Sequence, residues 1–316
     1  MKYYLGVDLG GTNIKAGITD ETGNILLKTS VRTDSAGDAQ KIADQMVGLC
    51  RELVEKAKVS MDDVEAVGVG IPGTVNAENG TVIYCNNLDM DGAPIGAMMQ
   101  EQLQKPVYLA NDASCAALGE FVCGSGKEHN SIILVTLGTG VGGGIILDGK
   151  LWEGLEGAGA EIGHMVVHIG GAECTCGRKG CFEAYSSATA LVNQTKAAME
   201  KHPESILHAV VAKTGRVSAK TAFDAMRKGD QVAKEVVDNY LHYLSEGVAN
   251  LINIFAPEAI ILGGGVCNEG DALLVPLKEQ VIAKCYGGDL IHHADISIAS
   301  LGNDAGLIGA AMLFHA

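Results

Sequence analysis

No run of basic residues occurs anywhere in the chain. Lys and Arg number 23 against 38 Asp and Glu, for a formal net charge of −15. A face that binds nucleic acid needs clustered cations to meet phosphates, so a nucleic-acid partner is excluded. No apolar stretch reaches the roughly 20 residues needed to cross a bilayer, which excludes a membrane partner. The first ten residues hold a short apolar strand and no secretory leader pattern. The nine cysteines are odd in number, and six of them (Cys50, Cys85, Cys115, Cys123, Cys267, Cys285) are scattered. That spacing suits buried thiols in a reducing compartment better than a disulfide framework. A cytoplasmic protein is expected.

What is present is apolar residue and glycine. The hydrophobic share is 47% of 316 residues, enough for the cores of two domains of ordinary size. Glycine, at 42 residues, exceeds ordinary usage and implies many tight turns and close backbone approaches.

The densest chemistry lies in residues 161–183, where His164, Cys174, Cys176 and Cys181 follow the order H-x9-C-x-C-x4-C. Three thiolates and one imidazole make a closed tetrahedral shell, which suits zinc. The intervening glycines let the backbone turn tightly enough to aim several sulfurs at one ion. A chance cluster of buried thiols is the plain alternative. A catalytic zinc is a further one, but it would keep an open position for water. Glu161 and Glu183 bracket the motif, and neither is needed by a four-coordinate ion. The metal therefore reads as a structural clip that aims polar side chains at something else.

Two strand–glycine turn–strand units come earlier. Residues 3–9 read as a strand, followed by Asp8-x-Gly10-Gly11-Thr12-x-x-Lys15 and a returning strand. Leu137-Gly138-Thr139-Gly140 and the glycines to 144 separate the strand 131–136 from a strand at 145–147. Exposed backbone N–H groups and a threonine hydroxyl can cradle an anion. Asp8 would repel a phosphate but could hold magnesium or its waters. The first turn alone also reads as an ordinary Gly-Gly hairpin. Its recurrence over a hundred residues later suggests two related halves that grip one polyphosphate. Gly263-Gly264-Gly265 after the strand 259–262 would let a flat purine lie on backbone, or make a simple loop.

Between the turns, the strand 107–110 runs into Asn111-Asp112 and a helix over 113–122. Such strand-to-helix junctions hold ligand-binding groups in α/β proteins, although an acid there also reads as a helix N-cap. Pro72-Gly73 ends a strand over 66–71, where backbone can approach a ligand or simply turn. Asn86 and Asn87 follow the strand 81–84 and suit either hydroxyl recognition or turn chemistry. Helices are predicted over 38–58, 230–255 and 305–313, with surface helices over 188–229.

Taken together, these residues resemble the sugar-kinase branch of the ROK family (repressors, open reading frames, kinases), within the actin, hexokinase and Hsp70 ATPase superfamily. The resemblance covers essentially the whole chain. It implies an α/β fold of two ribonuclease-H-like domains with an interdomain cleft and a zinc-binding loop. The domains would be residues 1–117, rejoined by 304–316, and 118–303. Asp8, Gly10, Gly11, Thr12 and Lys15 match the first phosphate motif; Gly138, Thr139 and Gly140 match the second. Gly263, Gly264 and Gly265 match the adenosine motif. Asn111 and Asp112 match the sugar-contact and catalytic-base pair. Glu161, His164 and Glu183 match sugar-hydroxyl ligands, with His164 meeting zinc through one ring nitrogen. Gly73 and Asn87 are expected neighbours of the sugar.

The resemblance implies ATP-dependent phosphorylation of a hexose, foremost glucose on its 6-hydroxyl, with Mg2+ and structural Zn2+. Kinases for N-acetylmannosamine, fructose or allose are the alternatives, then a non-catalytic sugar-sensing regulator. Family repressors carry a DNA-binding domain before the first phosphate motif; with Asp8 so near the first residue none is expected here, which favours a kinase. A homodimer or homotetramer is expected.

Overall fold

The computed structural model describes residues 2–85 and 87–315. Asn86, one of the loop asparagines above, lies outside them. The chain packs as two compact units. One comprises Met1–Leu134, Gly144–Ala160 and Ala299–Ala316; the other comprises Val135–Gly143 and Glu161–Ile298.

The chain opens with β1 (Tyr3–Leu9), β2 (Asn13–Thr19) and β3 (Ile25–Arg32), then α1 (Ala39–Ala57) and β4 (Val64–Ile71). The hairpin β5 (Thr74–Asn76) and β6 (Thr81–Tyr84) follows, then α2 (Ile95–Leu103), β7 (Val107–Asn111) and α3 (Asp112–Cys123). The sheet order is β3-β2-β1-β4-β7. β1 pairs antiparallel with β2 and parallel with β4. β1 and β4 are buried nearly throughout, whereas β3 alternates half-buried and exposed positions before ending fully exposed, as an edge strand can. α1 starts at Asp38, whose carboxylate accepts the Lys41 N–H, and it buries Ile42, Met46, Leu49 and Leu53 at helical spacing.

The later strands are β8 (Ile132–Leu137), β9 (Val141–Leu147), β10 (Lys150–Trp152), β11 (Ala259–Gly263) and β12 (Asp295–Ile298). Their sheet order, β10-β9-β8-β11-β12, repeats that of the first sheet. β9–β10 is antiparallel and β11–β12 parallel, as at the corresponding edges of the first. The helices are α4 (Glu183–Ser186), α5 (Ala188–Lys201), α6 (Leu207–Thr214), α7 (Lys220–Met226), α8 (Gln231–Phe255), α9 (Asp271–Lys284) and α10 (Ala305–Met312). No helix of the described residues is long and apolar enough to cross a membrane.

Three details differ from the sequence reading. β9 begins at Val141, so Gly142, Gly143 and Gly144 lie inside a strand rather than in the turn. Packing gives the reason: a Cβ on Gly144 would lie 2.4 Å from the Ala117 Cβ and 2.6 Å from the Ala113 carbonyl, so only glycine lets the strand pass under α3. The helices over 188–229 are not merely superficial. Leu207 and Val210 form a small core with Ala225 and Ala233.

The division expected after residue 117 falls inside α3. That helix stays with the first unit because it presses on α10 with almost no side chain between. A Cβ on Gly119 would lie 2.2 Å from the Ala305 carbonyl, and one on Gly309 1.6 Å from the Cys115 carbonyl.

Near the end of α3, Glu120 is fully buried. Its carboxylate accepts the N–H of Ser125 at 2.9 Å, of Ser300 at 3.1 Å and of Leu301 at 2.8 Å. Three amide donors aimed at one buried carboxylate leave no place for a side-chain amine. Glu120→Gln is therefore expected to destabilise the protein by about 2–3 kcal/mol, the value of charge-assisted bonds lost without replacement. Urea denaturation would show it, and an unchanged midpoint would mean that the charge contributes nothing there.

Candidate functional site

In the first unit the glycine turn between β1 and β2 is held from within. Gly10 N–H donates to the Asn13 carbonyl at 3.0 Å. The buried Thr33 hydroxyl donates to the Gly10 carbonyl at 2.6 Å, and Thr33 N–H to the Thr12 carbonyl at 2.9 Å. Asp8, next to last in β1, is half-buried, with Lys15 Nζ 3.1 Å from its Oδ2. A Cβ on Gly11 would lie 3.6 Å from that of Asn87, which places Asn87 beside this turn.

β7 delivers Asn111 and Asp112 together. The helix cap is Asn111: its Oδ1 accepts the N–H groups of Ala113 at 2.8 Å and Ser114 at 3.2 Å. Its Nδ2 donates to the Gly73 carbonyl at 3.0 Å, which ties the Pro72-Gly73 turn to the start of α3. One amide hydrogen of Asn111 is left over for a ligand hydroxyl. Because Asn111 caps, Asp112 is the first helical residue instead, with Oδ1 2.8 Å from the Ala113 nitrogen. The positive end of the helix favours a carboxylate there.

Below them lies Cys115, buried beneath Gly70. Its thiol is pushed well above the ordinary range, first by burial and then by the charges of Asp112, Asp8 and Glu153. The strand register gives the same juxtaposition for two of these carboxylates: Asp8 pairs with Gly70 across β1 and β4, and a Cβ on Gly70 would lie 3.5 Å from the Asp112 Cα. Glu153, whose own carboxyl is raised by burial, carries no sequence motif and was not foreseen.

In the second unit His164, Cys174, Cys176 and Cys181 converge, their ligand atoms all within 4.8 Å of one another. His164 Nδ1 lies 3.7 Å from Cys174 Sγ, and Cys176 Sγ 3.7 Å from Cys181 Sγ. With metal–sulfur bonds of about 2.3 Å and metal–nitrogen bonds of about 2.0 Å, tetrahedral edges are about 3.8 Å between sulfurs and about 3.5 Å from nitrogen to sulfur, so both spacings are close to those around one ion. Gly177 and Gly180, each at φ +85°, make the turns that bring the sulfurs round. A Cβ on Gly180 would meet the His168 carbonyl at 1.8 Å.

Without a metal the Cys181 thiol is pushed up to about 12, foremost by burial, then by Cys176 and Cys174. Cys176 is lowered, foremost by the Arg178 N–H. Metal binding there must displace protons.

Glu183 faces both this cluster and the second glycine turn. Its Oε2 accepts the Val141 N–H at 3.0 Å; its Oε1 lies 3.3 Å from the Thr175 hydroxyl. Glu161 is exposed, and its carbonyl accepts the His164 N–H at 3.1 Å in a short turn. The turn 138–140 is closed by Gly138 N–H donating to the Gly140 carbonyl at 3.0 Å. Gly264, at φ +92°, approaches so closely that a Cβ would lie 2.4 Å from the Leu137 carbonyl. The second glycine turn, the triple glycine and the cysteine cluster therefore share one neighbourhood within this unit.

Comparison with known proteins agrees in extent with this picture. The pattern described as the ROK family matches residues 4–316. A glucokinase of Halalkalibacterium halodurans is 36% identical over 313 residues, covering 99% of this chain and 94% of that protein. One of Streptomyces coelicolor is 38% identical over 312 residues, covering 98% and 96%. Among solved structures, a ROK family glucokinase from Streptomyces griseus in complex with glucose and AMPPNP superposes with a TM-score of 0.82 at 37% identity, covering 98% of each chain.

Proposed function

The chain belongs to the ROK family, and on that premise we propose that it transfers the γ-phosphoryl group of ATP to the 6-hydroxyl of glucose. The observation that carries the reading is the likeness to glucokinases over nearly the whole length of both chains. Asp112 is the general base. As the sugar oxygen attacks the γ-phosphorus, its proton passes to the Asp112 carboxylate and the bond to the β-phosphate oxygen breaks, releasing ADP. The remaining amide hydrogen of Asn111 holds a sugar hydroxyl, next to Gly73 and Asn87. Glu161, Glu183 and the His164 nitrogen turned away from the cysteines bind further hydroxyls.

The turns at Gly10-Gly11-Thr12 and Gly138-Thr139-Gly140 receive the phosphates, with Lys15 adding charge, and Gly263-Gly264-Gly265 the adenosine. Phosphoryl transfer asks little covalent work of a protein, so these groups act by positioning and by electrostatic stabilisation. Asp8 is a hard oxygen donor at the edge of the first turn and fits magnesium or its waters. The ion supplies charge neutralisation on the phosphates when bound. The three sulfurs and one imidazole nitrogen fit zinc, which as a closed four-ligand site holds the loop and takes no chemical part.

A coupled assay of ADP release across a hexose panel tests the reading. Glucose is expected to give the highest kcat/KM, above fructose, allose and N-acetylmannosamine. A panel in which no hexose raises ADP release above the sugar-free rate would overturn it.

A further inference from the structure

We propose that the metal-binding motif also sets the second glycine turn, and that Glu183 and Thr189 are the positioning residues that link the two. The proposal rests on the reading of that turn as the seat of ATP's phosphates. It adds that nucleotide affinity, and not sugar affinity alone, depends on metal occupancy.

The two ends of the motif meet at one residue, Val141, directly after the turn. A Cβ on Gly163, next to the ligand His164, would lie 2.1 Å from the Val141 carbonyl, so the chain there rests on the start of β9. From the other end Glu183, two residues after the ligand Cys181, accepts the Val141 N–H at 3.0 Å. The other oxygen of Glu183 is 3.3 Å from the Thr175 hydroxyl, between Cys174 and Cys176. One carboxylate thus spans the cysteine loop and the turn.

The segment after Glu183 continues the bracing. Ala188 N–H donates to the Gly138 carbonyl at 2.8 Å, and the Thr189 hydroxyl to the Thr139 carbonyl at 2.7 Å. Residues 138, 139 and 141 are therefore all fixed by the chain that leaves the cysteine cluster. The first turn has its own analogue: the Thr33 hydroxyl donates to the Gly10 carbonyl at 2.6 Å. Thr33 comes from the end of the adjoining β3, however, and answers to no metal. The two turns are braced alike, by a threonine hydroxyl on a turn carbonyl, and only the second brace is attached to the metal loop.

Loosening the loop removes the restraints on Val141 and shifts the start of α5. The turn then samples geometries that do not meet phosphate oxygens, and ordering it costs binding free energy. Thr189 isolates this route because it is exposed and stands outside the sugar ligands and the metal ligands.

The test compares Thr189→Val and the conservative Thr189→Ser with the unaltered protein. Binding of ADP with magnesium is measured by calorimetry without sugar, on metal-loaded and metal-stripped samples. In metal-loaded protein, Thr189→Val should weaken ADP binding and raise the KM for ATP about three- to tenfold, the range one positioning hydrogen bond supplies. The KM for glucose should stay unchanged, and Thr189→Ser should restore both nucleotide values. Stripping the metal should weaken ADP binding too, and Thr189→Val should then add less than it does in loaded protein, as coupled sites do.

Unchanged ADP affinity in Thr189→Val, or ADP affinity indifferent to metal, would overturn the coupling. Failure of the unaltered protein to turn over glucose would count against the proposed function instead, and ADP binding would still decide this inference.

Discussion

Asp112→Ala is expected to lower kcat by at least about 10²-fold, within the range for loss of a general base, while changing the KM values for glucose and ATP little. The split follows from what the side chain does. The cap of α3 is supplied by Asn111, through two N–H groups at 2.8 and 3.2 Å, so the helix start does not depend on Asp112. The variant loses the favourable charge at the helix end, worth about 0.5 kcal/mol, and the contact of Oδ1 with the Ala113 N–H, while the cap on Asn111 remains, so the fold should survive with a modest shift in Tm. Asp112→Asn sharpens the experiment, since it keeps size and hydrogen-bonding capacity but takes no proton. Both variants should be comparably slow. Near-normal turnover in either would remove Asp112 as the base. A large rise in the KM for glucose at preserved kcat would make it a binding group only.

Loss of the metal is the second large effect. Chelation, or Cys176→Ser, is expected to weaken glucose binding at least about tenfold, as changes in a metal's ligand shell commonly do. The cause lies in what holds residues 161–183 together. Three sulfurs and one imidazole converge there, and the polypeptide between them is turns and short bridges with three positive-φ glycines, Gly170, Gly177 and Gly180. Without an ion the buried Cys181 reverts to a thiol, and the loop loses the bonds that aim His164, Glu161 and Glu183. The effect on glucose should exceed that on nucleotide, because three proposed sugar ligands move whereas the second turn loses only part of its bracing. Metal analysis is the check that comes first: purified protein should contain close to one zinc per chain, and none at all would end the account of this loop.

Much of this was legible in the sequence because the residues involved sit close together along it. The cysteine and histidine cluster spans fewer than twenty residues, and its glycines sit where the backbone needs a positive φ. The first glycine turn reads from the hydrophobic strands on either side. The start of β9 did not read, because its glycines signal a turn until the closeness of α3 is known, as at Gly144. β5 and β10 are three residues each, too short to display an alternation. Asn111 and Asp112 were both visible, but which of them caps the helix depends on backbone angles that no pattern reports. Glu153 and Thr189 escaped for a common reason. Their neighbours in space, Cys115 for Glu153 and Thr139 for Thr189, are far away in the chain, so nothing beside either residue in the sequence marks it.

The central claim is that a hexose hydroxyl loses its proton to Asp112 as it takes a phosphoryl group from ATP. Phosphorus and carbon NMR of a reaction containing glucose, ATP and magnesium tests it directly. The unaltered protein is expected to yield phosphate on carbon 6 of glucose and equimolar ADP, and Asp112→Asn scarcely any of either. Phosphate on another carbon, ADP without sugar phosphate, or undiminished product from the variant would contradict it.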